Sequence, residues 1–179
     1  MTRTYLPRSW IHPALFGGPS QIHDEGVFTT QPIARGEKLM EFGGARIDTE
    51  QASSDDYWAR SVWIVTDGVY LARPITDESA SLDENLNHAC DANAWLADEV
   101  TLVARRDIAA GEEITLDQGT WNFDDAEFTW DGALCSCGVT DCRGALTEND
   151  WQLAAVQQRY AGHFHPVIQA MIDRRRKNA

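Results

Sequence analysis

The sequence concentrates three of its four cysteines in one short stretch, Cys135-Ser136-Cys137-Gly138-Val139-Thr140-Asp141-Cys142-Arg143-Gly144. The fourth lies far away, in Asn87-His88-Ala89-Cys90-Asp91-Ala92-Asn93. Four thiolates complete a tetrahedral shell around Zn²⁺, and a closed shell of this kind is typical of a structural zinc. The pattern therefore predicts one zinc ion, bound by Cys90, Cys135, Cys137 and Cys142, that joins a late loop to an earlier one.

Disulfides or free thiols are the alternative interpretations of this pattern. Cys135 and Cys137 are separated by one residue, an awkward spacing for a disulfide between them. Residues 1–7 have no apolar core of the kind found in a secretory signal, so we expect a cytoplasmic protein. Clustered cysteines in that compartment favour a metal site.

Length and charge limit the classes of partner. The 179 residues fit one domain with a small appendage, and no apolar run approaches the roughly 20 residues that cross a bilayer, so we expect no membrane contact. The formal net charge of −13 disfavours direct binding of nucleic acid and favours a basic protein or peptide partner. A charge that serves only solubility is the alternative.

Short strands broken by turn signals dominate the first two thirds of the chain. Val62 and Val69 belong to two strands that flank the Asp67-Gly68 turn of a predicted hairpin. A local pattern occurs twice, at 33–39 and at 108–114: an apolar residue, a glycine turn, an acidic residue and the start of a strand. It indicates a strand-turn-strand corner that the fold uses twice. We predict strands at 26–30, 38–42, 61–65, 69–72, 100–104 and 113–116.

Helices are predicted in one insert and in the tail. Residues 48–60 carry helix-compatible side chains. Thr147 can cap a helix over 148–160 that buries Leu153, Val156 and Tyr160 and stops at Gly162. A second tail helix opens at Pro166 and ends in the basic residues 174–177, which suit the negative end of the helix dipole better than a nucleic-acid patch.

Three blocks, in this order, resemble the SET-domain protein methyltransferases that carry a post-SET zinc loop. The first is Asn87-His88-x-Cys90-x-x-Asn93, the second is residues 106–115, which lead into the family's catalytic strand, and the third is the cysteine stretch 135–144. The resemblance covers residues 21–144, and the arrangement of the blocks is most similar to that of the small bacterial members.

The resemblance implies a mainly β (α+β) fold of short strands and small sheets, with a pseudoknot near the active site, a post-SET zinc loop and C-terminal helices. We expect an N-terminal segment at 1–20, the SET domain at 21–131, the zinc loop at 132–146 and a helical extension at 147–179. S-adenosylmethionine would enter one face, and a lysine side chain would reach it from the other.

The same resemblance implies roles for particular residues. The backbone of Asn87 and the side chain of His88 would hold the adenine end of the cofactor, and the turn Asp24-Glu25-Gly26 would hold its methionine end. An aromatic residue commonly completes the channel wall, which makes Trp121, Phe128 and Trp130 candidates, with ordinary core packing as the alternative for each. The histidines 12, 23, 163 and 165 are expected to be structural.

Four positions depart from the family pattern. Gln118 and Phe42 stand where the two channel tyrosines are usual, so both phenol hydroxyls are missing from the expected catalytic positions. Asp24 replaces a glycine, which aspartate can tolerate because it accepts left-handed backbone conformations. Glu84 replaces a common arginine.

Four hypotheses follow for function. The first is a methyltransferase that uses S-adenosylmethionine to modify a lysine of a basic protein or peptide. The second is a degenerate scaffold that binds cofactor or protein without transferring a methyl group, and the third is methyl transfer to a non-lysine acceptor. The fourth, a zinc-ribbon nucleic-acid binder, is disfavoured by the net charge of −13. The sequence leaves the oligomeric state open.

Overall fold

The computed structural model describes residues 3–122 and 132–178. Within them the chain forms short strands and three α-helices. The strands are β1 (Trp10–Ile11), β2 (Leu15–Pro19), β3 (Glu25–Thr29), β4 (Lys38–Glu41), β5 (Ala45–Asp48), β6 (Trp63–Thr66), β7 (Val69–Ala72), β8 (Asn87–His88), β9 (Ala94–Leu96), β10 (Thr101–Ala104) and β11 (Glu113–Leu116). The helices are α1 (Thr49–Ala52), α2 (Ala154–Arg159) and α3 (Pro166–Asn178).

The strands form three small sheets, in the orders β1-β4-β10-β9, β2-β3-β11-β8 and β5-β7-β6. Their pairings are antiparallel except for β8 with β11, which run parallel with Asn87 opposite Thr115 and His88 opposite Leu116. The predicted mainly β architecture of small sheets is confirmed. The pseudoknot and the proposed segment boundaries stay predictions.

Most predicted strands are present with small shifts. β7 and β11 have the predicted bounds, β3, β4 and β10 differ by about a residue, and β6 begins at Trp63 rather than at residue 61. The two copies of the repeated corner pair with each other, because Ile33 and Ile108 exchange backbone hydrogen bonds of 2.9 Å in both directions. The glycine of each copy, Gly36 and Gly111, has a positive φ, as the turn requires.

Two apolar cores hold the sheets together. The first lies among β3, β4, β10 and β11 and includes Val27, Leu39, Leu102 and Ile114, all fully buried. In the second, the tail helices cover the β5-β7-β6 sheet; its members include Ile47, Tyr70, Trp151, Val156, Tyr160, Ile168 and Ile172. The tail is thus packed into the domain rather than appended to it. No helix among residues 3–122 and 132–178 is both long and apolar enough to span a bilayer.

The predicted helix over 48–60 is largely wrong. Only α1 is helical, with a short 3-10 turn at Ala59–Ser61. The Ser53 and Ser54 hydroxyls donate to the Thr49 and Gln51 carbonyls, so they compete with the backbone hydrogen bonds that would extend the helix. Beyond them, Tyr57 pairs with Pro74 as in a strand.

The first tail helix is interrupted, whereas the second is confirmed. Residues 150–152 form a 3-10 turn, Leu153 is extended with ψ 129°, and α2 follows. Thr147 donates to the Asp150 carboxylate at 2.8 Å instead of capping a long helix. Val156 and Tyr160 are buried as predicted, but Leu153 is 45% exposed, because the extended residue turns away from their face. α3 opens at Pro166, as predicted.

Candidate active site and cysteine cluster

One cavity of about 710 Å³ brings together residues that lie far apart in the sequence. A volume of this size is ordinary for a small-molecule or cofactor site. Its walls come from β4's end, β6, β8, the end of β11 and the residues on either side of the cysteine stretch. Lining residues that bear on the predicted site are Phe42, Trp63, Asn87, His88, Leu116, Gln118, Trp121, Leu134 and Cys135.

The four cysteines converge beside this cavity. The sulfurs of Cys90, Cys135, Cys137 and Cys142 all lie within 4.8 Å of one another, and none forms a disulfide. The Cys90 and Cys135 sulfurs are 3.8 Å apart. Zn–S bonds of about 2.3 Å in a tetrahedron give an edge of about 3.8 Å between sulfurs. The donor set and its spacing therefore fit a metal ion, and the predicted convergence is confirmed.

Backbone donors surround the sulfurs. The Arg143 N–H points at the Cys90 sulfur and the Gly144 N–H at the Cys142 sulfur, each at 3.4 Å. Burial raises the pKa of the Cys90 thiol to about 11 and also raises that of Cys135. Because burial disfavours these thiolates, a cation at the centre of the cluster is what would keep them ionised.

His88 lies between the cysteine cluster and the cavity. Its Nδ1 accepts from the Gln118 N–H at 3.1 Å, so the proton belongs on Nε2, which faces the Cys90 sulfur at 3.3 Å. Burial lowers the pKa of His88 to about 4, which keeps the ring neutral. Both ring nitrogens are occupied within the protein, and a ligand at this position would contact the ring face or the backbone.

Asn87 ties strand β8 to the turn predicted to hold the methionine end. Its side-chain amide donates to the Glu25 carbonyl at 2.9 Å, the His23 carbonyl at 3.2 Å and the Glu113 carboxylate at 2.8 Å. The Ser20 hydroxyl also donates to that carboxylate, at 2.8 Å. This network, Ser20, Asn87 and Glu113, fixes the position of the turn relative to β8 and β11.

The turn itself has the conformation that the sequence predicts. Asp24 adopts φ 37°, the left-handed backbone expected at the position of the family's glycine. Gly26 is required sterically, because a Cβ there would lie 2.3 Å from the Glu113 carboxylate oxygen. The cavity wall nearest the turn consists of Ile22 and His23, whereas Asp24, Glu25 and Gly26 do not line it.

Aromatic rings form one wall of the cavity. Phe42 stacks on Trp63 with ring centroids 3.8 Å apart, and Trp63 lies 4.9 Å from Trp121. Phe42, at one predicted tyrosine position, is therefore held in a packed cluster. Trp121 lines the cavity and also packs against the first core, so its position fits both the channel and the packing interpretation. Phe128 and Trp130 lie outside the described residues.

Gln118, at the other tyrosine position, also lines the cavity. Its side-chain oxygen is buried without a hydrogen-bond partner among the described residues. One side-chain oxygen of Asp83, one of Asn122 and the indole N–H of Trp121 are likewise buried without a partner among these residues. All four side chains line the same cavity. Unpaired buried polar atoms are rare and costly, so their concentration at one cavity is typical of a binding site.

Arg143 and its two carboxylate partners were missed by the sequence reasoning. The Arg143 guanidinium makes two hydrogen bonds to Asp117, at 2.7 and 2.8 Å, and one to Asp150 at 2.9 Å. The contacts with these carboxylates outweigh burial and raise the pKa of Arg143 further. The only available signal was the arginine that directly follows the last cysteine.

Glu84, which replaces a common arginine, has a local partner. Both of its carboxylate oxygens accept from Arg73, at 2.7 and 2.8 Å, in a pair that is largely shielded from solvent. The departure from the family pattern is thus compensated by an ion pair at the edge of the cavity.

Comparison with known proteins agrees with this geometry. A family model described as "SET domain" matches residues 24–119, just over half of the chain. The chain is 24% identical to histone-lysine N-methyltransferase ATX2 of Arabidopsis thaliana over 84% of its length, and 29% identical to histone-lysine N-methyltransferase SUV39H2 of Xenopus tropicalis over 68%. It is 30% identical over 71% of its length to a Yarrowia lipolytica histone-lysine N-methyltransferase described as H3 lysine-4 specific.

The chain belongs to the SET domain family. It spans only 14%, 36% and 12% of these three relatives. A chain in the solved structure "Crystal structure of an active polycomb repressive complex 2 in the stimulated state" superposes with a TM-score of 0.48 at 22% identity, covering 59% of this chain and 15% of that one. The post-SET assignment and the likeness to bacterial members stay predictions.

Proposed function

We propose that this protein is a methyltransferase that transfers a methyl group from S-adenosylmethionine to a lysine of a basic protein or peptide. The single observation that carries the proposal is the cavity, where Asn87 and His88 meet the two channel positions, Phe42 and Gln118. The family membership supports it, and so do the names of the relatives, which describe histone-lysine methyltransferases.

The cavity also supports the proposed cofactor by its chemistry. Its volume of about 710 Å³ leaves room for a cofactor and an entering side chain together. Buried polar atoms on Asp83, Gln118 and Asn122 lack partners in the described chain, and they are acceptors that amino and ammonium groups of a ligand could satisfy. We propose that the backbone of Asn87 and the side chain of His88, which both line the cavity, hold the adenine end of the cofactor. Its methionine end would reach past Ile22 and His23 towards the turn at 24–26.

S-adenosylmethionine, when bound, supplies a methyl group that its sulfonium already activates. The protein's task is to exclude water, to favour the neutral amine and to align it. The ring cluster Phe42, Trp63 and Trp121 excludes water from this wall, and the loss of hydration would lower the pKa of an entering lysine, against the attraction of the ring faces for a cation. Gln118 can accept a hydrogen bond from the amine through its side-chain oxygen. His88 is not a general base here, because both nitrogens are engaged.

We propose that the metal ion at the cysteine cluster is zinc. The all-sulfur donor set and the sulfur separation of 3.8 Å support this choice. In this proposal the zinc loop carries Leu134 and Cys135 to the cavity wall, so the metal shapes the channel without entering the chemistry.

A basic substrate is proposed from charge. The formal charge of −13 attracts lysine- and arginine-rich segments over a long range and repels nucleic acid. Methyl transfer to a non-lysine acceptor is the second candidate, and the loss of both phenol hydroxyls at Phe42 and Gln118 favours it.

Calorimetric titration of S-adenosylmethionine into the metal-loaded full chain tests the proposed cofactor site. We expect binding, and we expect Asn87→Ala to weaken it at least tenfold, because the amide links β8 to two carbonyls of the turn region and to the Glu113 carboxylate on β11. Asn149→Ala is the matched control, since Asn149 is an exposed asparagine away from the cavity. Absence of binding to the wild type, or equal affinity in Asn87→Ala, would contradict the proposed site.

A further inference from the structure

Two series of contacts connect the cysteine cluster to the same two consecutive residues, Asp117 and Gln118. In the first, the Cys90 sulfur faces His88 Nε2 at 3.3 Å, and His88 Nδ1 accepts from the Gln118 N–H at 3.1 Å. In the second, Arg143, the residue after Cys142, holds the Asp117 carboxylate at 2.7 and 2.8 Å. Both series of contacts therefore end at Asp117 and Gln118, and Gln118 lines the cavity.

The second series of contacts, through Arg143 and Asp117, is the more rigid of the two. The Asp117 side chain is fully buried, and the Arg143 guanidinium donates two parallel hydrogen bonds to its carboxylate. A paired contact of this kind fixes the orientation of the carboxylate as well as its distance. A third bond, from Arg143 to Asp150, anchors the guanidinium to the tail. A buried carboxylate that loses its cation becomes strongly unfavourable, so Asp117 cannot keep its position without Arg143.

Asp117 in turn sets the conformation of the residues after it. Its carboxylate accepts from the Gly119 N–H at 2.9 Å, and its carbonyl accepts from the Thr120 N–H at 2.9 Å. The Trp121 and Asn122 N–H groups both donate to the Gln118 carbonyl, at 3.1 and 2.8 Å. This 3-10 turn carries Gln118, Trp121 and Asn122, three of the cavity residues that have unpaired buried polar atoms.

We infer that Arg143 is a positioning residue that couples the metal-bound loop to Gln118 and to the turn at 118–122. Arg143 is not among the residues that line the cavity, and it acts through Asp117. The inference rests on the proposed function only for its effect on rate, because the coupling between cluster and turn is a property of the chain itself. Metal at the four cysteines thereby sets the geometry of the cavity as well as that of the loop.

Hydrogen–deuterium exchange of the metal-loaded wild type, before and after a chelator, tests the coupling without any cofactor. We expect metal removal to speed exchange at the amides of residues 119–122 at least tenfold, while the β4 and β10 amides change little. Unchanged exchange at 119–122, or an increase spread evenly over the whole chain, would overturn the inference.

Arg143→Lys tests the residue, because lysine keeps the charge but cannot make the paired hydrogen bonds to Asp117. We expect one metal per chain as in the wild type, faster exchange at 119–122, and a kcat lowered at least tenfold with little change in KM, since misplacement by about 1 Å is costly. Arg159→Lys is the matched control: Arg159 also contacts the cluster region, through the Cys90 carbonyl and Asp141, but not Asp117.

The result that overturns the role of Arg143 is an Arg143→Lys protein that matches Arg159→Lys in kcat and in exchange at 119–122. Should Arg143→Lys fail to fold, Asp117→Asn removes the same paired contact from the other side and is read in the same way. If the wild type transfers no methyl group, the proposed function fails while the exchange measurements still decide the coupling.

Discussion

Replacing Gly26 with alanine would place a methyl group against the Glu113 carboxylate, next to the turn at 24–26. The added Cβ would lie 2.3 Å from one Glu113 carboxylate oxygen and 2.8 Å from its carboxyl carbon, so the carboxylate must retreat by about 1 Å. It would then lose hydrogen bonds from the Ser20 hydroxyl and the Asn87 amide, both at 2.8 Å. Hydrogen bonds to a charged group contribute about 1.5–3 kcal/mol each, and the lower value suits the partly exposed Glu113, so losing two of them is expected to destabilise the fold by about 3 kcal/mol.

Thermal and denaturant unfolding measure this loss, which corresponds to a fall in Tm of about 10 °C for a chain of this size. Gly18→Ala is the matched control on the same hairpin. Its Cβ would meet Phe28 at an ordinary 3.7 Å, so we expect a change within about 1 kcal/mol.

A double-mutant cycle tests the cause. In a Glu113→Ala background the clash with the carboxylate is absent and only the 3.0 Å approach to the Ser20 Cβ remains, so Gly26→Ala should cost about 1 kcal/mol or less further. The coupling is then about 2 kcal/mol. Costs that add within about 0.5 kcal/mol would mean that Gly26 acts independently of Glu113 and that the clash is not the cause of the destabilisation.

Three further perturbations have expected outcomes. Cys90→Ser should reduce the metal content from about one ion per chain to well below one by elemental analysis, and a variant that still binds one ion would exclude Cys90 as a ligand. Burial lowers the pKa of His165 from 6.5 to about 4, so the contribution of the neutral ring to stability is present above pH 6.5 and is lost as the pH falls towards 4. The wild type should therefore lose about 2 kcal/mol of unfolding free energy between pH 7 and 5 that His165→Gln does not lose. The same pH dependence of stability in both proteins would contradict the lowered pKa of His165. Gln118→Tyr combined with Phe42→Tyr should raise lysine methylation at least tenfold by restoring polar contacts at the methyl, and no gain would favour a non-lysine acceptor.

The parts of the fold that follow local rules could be predicted from the sequence. The Asp67-Gly68 turn marks the β6–β7 hairpin because the side-chain pattern and the turn residues agree there. The convergence of Cys90 with the late cysteines was predictable because four thiolates complete the tetrahedral shell of a structural zinc. The left-handed backbone of Asp24 followed from the family resemblance, which places a glycine at this position, and aspartate tolerates that conformation.

The failures arise where side-chain contacts override local preference. Helix-compatible residues after α1 are diverted by the Ser53 and Ser54 hydroxyls and by the pairing of Tyr57 with Pro74. In the tail, Asp150 serves Arg143, and the helix breaks at Leu153 just beyond this contact.

The buried ion cluster of the site was equally beyond sequence reasoning. Asp117 lies 26 residues before Arg143 in the sequence, and each is an unremarkable charged residue until the fold places them in contact. Short strands such as β8 and β9 were missed for a related reason, since two or three residues carry no readable alternation.

Transfer of labelled methyl groups shows whether this chain methylates lysine. The metal-loaded full chain is incubated with S-adenosylmethionine that carries a labelled methyl group and with a panel of basic, lysine-containing peptides, and mass spectrometry locates the label. We predict label on a lysine nitrogen, loss of that label when the lysine is replaced by arginine, and a rate strongly reduced in Asn87→Ala but not in Asn149→Ala. Binding of the cofactor without label on any lysine would contradict the account.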